Sequence, residues 1–311
     1  MLVSIIITTR NSSGYIEKTL DAILSQTYKN FEVLIVDDAS FDVDRLQTIV
    51  SKYSESFPIN LILQNNKTNA SCTRNVGMRN AKGEVLSFLD ADDIWYENKL
   101  EMVINFFKQK KNGNKPFLVF HQSFRGTYED LENGNGIIVP DDGPVEENIV
   151  DYLLNDHGVI QTSTISINKY AANILLFDES LPRHQDVQFC FDAFAKGVYF
   201  HFIKQPLSCW VILDRSVNAH VKGANVDFCI NWLSKNELIL SDKNKISYIS
   251  NVLYFISIKE KRFLKAILAS FRLLGWNAFV ALNAFGLFVL KKFSLKIKRY
   301  FFTSKINKST I

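Results

Sequence analysis

The stretch Leu86-Ser87-Phe88-Leu89-Asp90-Ala91-Asp92-Asp93 carries the clearest chemical signal in the sequence. A mostly apolar run enters directly into three carboxylates. The apolar part reads as a buried strand, and the acids stand where that strand must end. Open α/β sheets bind ligands at the carboxyl ends of their strands. Clustered carboxylates repel one another unless a cation or an array of donors satisfies them. A hard divalent ion with a phosphate ligand is one answer, since Mg²⁺ and Mn²⁺ prefer oxygen. A solvated acidic turn that caps the next helix is the other. A second apolar run, Phe31 to Val36, also ends in acids, Asp37 and Asp38.

The elements that must position these acids alternate. Val3 to Thr8 is β-branched and apolar, and reads as a first strand. A polar loop, Thr9 to Gly14, precedes Ile16, Leu20, Ile23 and Leu24 at helical spacing. Phe31 to Val36 is a second strand, and Leu46, Ile49, Val50 and Tyr53 mark a second helix. Ile59 to Leu63 is a third strand, Cys72 to Asn80 a helix, and Val85 to Leu89 the fourth strand. This alternation predicts βαβ units and a parallel sheet. No G-x-G-x-x-G follows the first strand and no G-x-x-x-x-G-K-[ST] occurs, so a dinucleotide fold and a P-loop are disfavoured. Farther on, Leu100, Val103, Ile104 and Phe107 form a helical face and Phe117 to Phe120 a strand. Gly126 to Gly143 reads as a loop or hairpin with solvated acids. Ile160 to Ile167 alternates like a strand, a helix begins near Arg183, and Tyr199 to Leu213 reads as one or two strands.

The 311 residues are 47% hydrophobic and 22% charged, which suits a globular chain with a substantial core. The cysteines Cys72, Cys190, Cys209 and Cys229 form no C-x-x-C pair, so free thiols in a reducing compartment are expected. The start shows no signal-peptide pattern, and none is expected. The net charge of +4 conceals an asymmetry: from Lys259 onward there are twelve Lys or Arg and one acid, Glu260. An acidic body with a basic, aromatic-rich tail suggests a tail that faces an anionic surface.

Several of these stretches, in this order, resemble the family 2 glycosyltransferases, inverting enzymes of GT-A fold. Ser4 to Asn11 is similar to the family's opening strand and loop. Gln26 to Ser40 is similar to its second strand and acid pair, and Arg74-Asn75-Val76-Gly77 with Ala81 to Glu84 to its next segment. Leu89 to Asp93 resembles its D-x-D motif, and Phe177 to Leu181 with Gln185-Asp186 the region of its catalytic base. The resemblance runs from Val3 to roughly His220. It implies a Rossmann-like, mostly parallel central sheet flanked by helices. It further implies a domain over 1–222, with a nucleotide half (1–93) and an acceptor half (94–222), before a helical region over 223–311.

The resemblance also distributes roles. Thr9, Asn11, Asp38, Arg74 and Asp90 would bind the nucleotide sugar. Asp92, with His220 a weaker candidate, would hold Mn²⁺ or Mg²⁺, and Asp186 would be the catalytic base. Asp93 is expected to be structural, as a helix cap or a support of its neighbours. Helix-end acids that merely cap remain the alternative for Asp38 and Asp186.

Leu273 to Leu290 has no charge and approaches the length of a bilayer span. The lysines and aromatics from Lys291 to Phe301 form a basic amphipathic pattern, which favours lying on an anionic membrane over crossing it. The expectation is a UDP-sugar-dependent transferase on the inner face of the cell membrane. It would extend a lipid-linked oligosaccharide for a surface polysaccharide such as O-antigen or capsule. Nucleic acid is not expected as a partner, because no binding motif accompanies the basic residues. A nucleotidyltransferase of similar fold and a non-catalytic carbohydrate-binding protein are the competing readings.

Overall fold

The computed structural model describes residues 1–109, 115–144, 148–156, 158–213, 224–287 and 289–290. It divides into two compact units, Met1–Asn218 and Ala219–Ile311.

The first unit opens with β1 (Val3–Thr9), α1 (Ile16–Leu24), β2 (Phe31–Asp37), α2 (Val43–Tyr53), β3 (Ile59–Leu63), α3 (Ala70–Asn80) and β4 (Val85–Asp90). The four strands pair in parallel in the order β3-β2-β1-β4. Their side chains alternate between two apolar layers. Ile5, Ile7, Val33 and Ile35 face one core, while Ile6, Leu34, Leu86 and Phe88 face the other. Coverage on both faces is why these strands read as nearly continuous apolar runs. Helix α3 approaches β1 closely at Gly77, where a Cβ would stand 2.4 Å from Cγ2 of Ile6.

The rest of the unit adds β5 (Ile94–Trp95), α4 (Lys99–Gln109), β6 (Phe117–Gly126), α5 (Tyr128–Glu132), β7 (Ile137–Val139), α6 (Ile149–Leu154), β8 (Ser166–Asn168), α7 (Lys169–Ala172), α8 (Gln185–Ala195) and β9 (Tyr199–Val211). The full sheet runs β3-β2-β1-β4-β8-β6-β9-β5, with β7 on β6. The expected mostly parallel sheet is present, and its second half mixes in short antiparallel strands. Strand β8 lies antiparallel to both β4 and β6, β5 is antiparallel to β9, and β7 is antiparallel to β6. Among the described residues of this half, only β6 and β9 are parallel. The expected strand Ile160–Ile167 is mostly something else: a 3₁₀ turn, Thr162–Thr164, begun by the Gln161 side chain accepting from Ser163 N. Only Ser166–Asn168 joins the sheet. Within the expected Gly126–Gly143 loop, the short helix α5 leads into the strand β7.

The second unit contains α9 (Val226–Lys235), α10 (Asp242–Tyr248), a π turn (Ile249–Leu253), α11 (Tyr254–Lys259) and α12 (Phe263–Leu274). Its core sets Trp232 against Tyr248 and Tyr254 against Phe263 and Phe285. Helix α12 continues through a 3₁₀ turn at Gly275–Asn277, so that Phe263–Leu287 is one 25-residue helical run. The basic stretch from Lys291 lies outside the described residues.

Candidate active site

A cleft of about 420 Å³ opens at the carboxyl ends of β1, β2 and β4, lined by Thr9, Arg10, Asp38, Arg74, Asp90 and Asp92 among others. The chain reaches it through tight loops. Asn11 (φ 51°) after β1 and Ala39 (φ 52°) after β2 occupy the left-handed region that disfavours side chains.

At the first acidic strand end Asp37 is well supplied with donors, while Asp38 keeps one oxygen facing only Arg10. Asp37 accepts from Thr9 Oγ1 at 3.0 Å, Ser40 N at 2.9 Å and Ser40 Oγ at 2.5 Å. Asp38 accepts from the backbone and hydroxyl of Thr68 at 2.5 and 2.8 Å, and its other oxygen lies 3.7 Å from Arg10. Thr9 lines the cleft, but its hydroxyl is committed to Asp37. Asn11 is not part of the cleft wall. Its backbone N donates to Ser40 Oγ and its side-chain Oδ1 accepts from Phe41 N, which clasps the first loop to the second.

The second acidic strand end is not balanced. Asp90 pairs with Arg74 at 2.7 Å and accepts from Gln161 Nε2 at 3.3 Å. Burial first, and then the neighbouring Asp90, push the Asp92 carboxyl up to about 6, against the smaller pull of Arg74. Asp93 is buried outright. It accepts from Ser163 Oγ at 2.5 Å, Gln161 Nε2 at 2.7 Å and Val211 N at 3.0 Å. Burial, Asp90 and Asp92 raise its carboxyl well above the usual range. Helix α4 begins only at Lys99, so Asp93 does not cap it but ties the acidic loop to the 3₁₀ turn and β9. Thr19 of α1 braces the same loop, donating to the carbonyls of Ala91 and Asp93.

Arg74 and Asn75 connect this loop to α8. Arg74, on α3, donates to Gln185 Oε1 at 3.1 Å as well as pairing with Asp90. Asn75 clamps the segment before α8, bonding the backbone N and O of Phe177 at 2.8 Å each. Asp186 therefore lies close enough to sense Arg74, Asp90 and Arg183. Burial raises its carboxyl, while Val187 N, Arg74 and Arg183 hold part of that rise back. Sequence reading did not single out Thr68, Gln161, Ser163 or Tyr15. The first three act through hydrogen bonds made across the fold, which leave no local pattern. Tyr15 lines the cleft and its hydroxyl accepts from Ser12 Oγ, but no motif in the sequence marks it.

Carboxylates suit a hard cation. Among the described residues, no three His, Cys, Asp or Glu side chains cluster as a metal cage. A cation here would take one or two protein oxygens and complete its shell from phosphate and water, as Mg²⁺ does at nucleotide sites. The proton-hungry, repelled state of Asp92 fits that demand. His220 lies outside the described residues.

The profile of glycosyl transferase family 2 matches residues 4–172. The amylovoran biosynthesis glycosyltransferase AmsB of Erwinia amylovora is 35% identical over 250 residues, which span 79% of this chain and 81% of that protein. WfgD of Escherichia coli, named a UDP-Glc:alpha-D-GlcNAc-diphosphoundecaprenol beta-1,3-glucosyltransferase, is 36% identical over 137 residues, 44% of this chain and 49% of its own. The crystal structure of S. aureus TarS with UDP-GlcNAc superposes with a TM-score of 0.63 at 18% identity, covering 92% of this chain and 89% of that one. With a mixed sheet that gathers its acids at one cleft, the chain belongs to glycosyl transferase family 2 and is a glycosyltransferase of GT-A fold.

Proposed function

We propose that this enzyme is an inverting transferase that moves a hexose or N-acetylhexosamine from a UDP-sugar to a hydroxyl of a lipid-linked oligosaccharide. The observation that carries this reading is the convergence of Asp38, Arg74, Asp90 and Asp92 on one cleft, with Asp92 electrostatically unsatisfied. WfgD, by its name, uses UDP-Glc and a diphosphoundecaprenol-linked sugar, and TarS binds UDP-GlcNAc. AmsB, by its name, serves amylovoran biosynthesis, which supports a surface-polysaccharide setting.

The Asp38 oxygen that faces Arg10 would accept from the nucleobase or ribose. Asp90, held by Arg74, would meet the ribose, and Arg74 would steady both. Thr9 and Asn11 would shape the nucleotide loop through the bonds they make to Asp37, Ser40 and Phe41. Bound at Asp92, Mn²⁺ or Mg²⁺ would supply Lewis-acid stabilisation of the departing diphosphate. Asp186 would take the proton of the acceptor hydroxyl as that oxygen attacks the anomeric carbon from the face opposite the diphosphate, which inverts the centre. A raised carboxyl pKa makes Asp186 a better proton acceptor.

The helical run Phe263–Leu287 is long and apolar enough, by length and composition, to cross a membrane. Leu264, Leu268, Trp276 (83% exposed), Phe279 and Val280 present apolar surface to solvent. With the basic sequence that follows, this supports peripheral attachment to the inner face of an anionic membrane.

Calorimetric titration with UDP, with and without Mn²⁺, followed by UDP release from UDP-glucose and UDP-N-acetylglucosamine, tests the reading. Metal-dependent UDP binding is expected. Full transfer by both Asp92→Ala and Asp186→Asn enzymes would sink the site assignment.

A further inference from the structure

The helix that carries Asp186 is fastened by an amide. Gln185 opens α8 and directly precedes Asp186. Its Oε1 accepts from Arg74 Nη1 at 3.1 Å, and its Nε2 donates to the Leu181 carbonyl at 2.9 Å. A carboxylate could serve Arg74 but has no proton for Leu181, and an apolar side chain serves neither. The two bonds together decide which end of the amide faces which partner.

Arg74 itself is 7% exposed, and its guanidinium lies 5.3 Å from the Phe177 ring. Its ion pair is with Asp90, on the nucleotide side of the cleft. Because Gln185 is neutral, the Arg74 charge is not consumed at α8. The charged groups that act on Asp186 are Arg74 from α3, Arg183 before α8 and Asp90 from β4, while Asp186 in turn helps to raise the thiol of Cys190 on α8. The arginines favour the ionised carboxylate, and Asp90 opposes it.

We propose that Gln185 is a positioning residue for Asp186: it fixes the start of α8 on the Arg74 guanidinium while leaving that charge to be shared by Asp90 and Asp186. One guanidinium thereby sets the base relative to the nucleotide-side carboxylate. The inference rests on Asp186 being the base, as proposed above.

The test uses the full chain as wild type, Gln185→Glu and Gln185→Leu. Carboxyl ¹³C titration follows Asp186, its resonance identified by its loss in Asp186→Asn. Gln185→Glu adds a negative charge beside Asp186, occupies Arg74 and sets an oxygen against the Leu181 carbonyl. The Asp186 midpoint is expected to rise by about one pH unit. Gln185→Leu is expected to slow UDP release from UDP-glucose or UDP-N-acetylglucosamine by about 10- to 100-fold. Its Mn²⁺-dependent UDP affinity should stay within about twofold, because the donor-side contacts of Asp38, Asp90 and Asp92 remain. An unmoved Asp186 midpoint in Gln185→Glu overturns the proposal. So does a Gln185→Leu enzyme that loses UDP affinity as much as turnover. Full turnover by Asp186→Asn would instead remove the base reading, and the titration still decides the role of Gln185 in fixing the charge around Asp186.

Discussion

Two strand ends in this sheet finish in acids, and the fold treats them in opposite ways. At the end of β2, Asp37 is surrounded by donors from Thr9 and Ser40, and Asp38 is half-occupied by Thr68. At the end of β4, Asp90 has an arginine and Asp93 a cage of neutral donors, while Asp92 is left with burial and a repelling neighbour. Similar sequence, a strand followed by carboxylates, thus gives a scaffold in one place and an unmet demand for positive charge in the other. What separates them is the supply of donors by other segments. Ser40 and Thr68 come to the first end, whereas the donors that reach the second, Gln161, Ser163 and Val211 N, are mostly taken by Asp93.

The comparison can be broken most directly at Asp92. Asp92→Ala is expected to lower transfer by about 10³-fold, since Lewis-acid stabilisation of a leaving group is worth several kcal/mol. It should also abolish the Mn²⁺ dependence of UDP binding, with the metal-free melting temperature unchanged or higher. A clear fall in metal-free stability would put Asp92 with the scaffold acids. Asp37→Ala should do the reverse. It strands the Thr9 and Ser40 donors, and chemical denaturation should show a loss of about 2 kcal/mol with metal dependence retained.

Asp38→Asn keeps an acceptor for Thr68 but removes the charge facing the cleft, so calorimetry should show UDP affinity about tenfold weaker. Acidity sharpens the contrast further. In the metal-free protein the Asp92 carboxyl sits at about 6, above the ordinary 3.8 of an unfolded chain. Its contribution to stability is therefore fully present below about pH 4 and is lost as pH rises through about 6. Mn²⁺ should consequently raise the melting temperature more at pH 7.5 than at pH 5, where protons compete for the same oxygens. An equal gain at both would mean the metal is held elsewhere. The smallest effect is expected at Ala39, whose φ of 52° strains any side chain. Ala39→Gly should raise stability by up to about 1 kcal/mol in a melting experiment.

Much of the parallel half was legible because its strands, buried on both faces, announce themselves as apolar runs with helices between them. The element bounds from β1 to β4 depart from the sequence reading by a residue or two. Leu24, expected on the buried face of α1, is 42% exposed because the helix ends there. Legibility declined after Asp93. Residues 160–167 have the alternation of a strand, yet the Gln161 side chain turns the backbone at Ser163, and Gln161 and Ser163 supply donors to Asp93. Strand β8 is three residues long and pairs antiparallel with two neighbours far away in sequence, an arrangement no local period encodes.

By itself the sequence determined which carboxylates stand at strand ends, the βαβ alternation that brings those ends to one edge, and the apolar helix near the C-terminus. These follow from side-chain periodicity and composition, which are local. Only the tertiary structure decided that Asp93 is buried scaffold, that Thr9 and Asn11 bond to the neighbouring loop, and that Arg74 joins Asp90 to the helix of Asp186. Those outcomes depend on donors 16 to 118 residues away along the chain. The charge state and freedom of a carboxylate are set by what surrounds it in space.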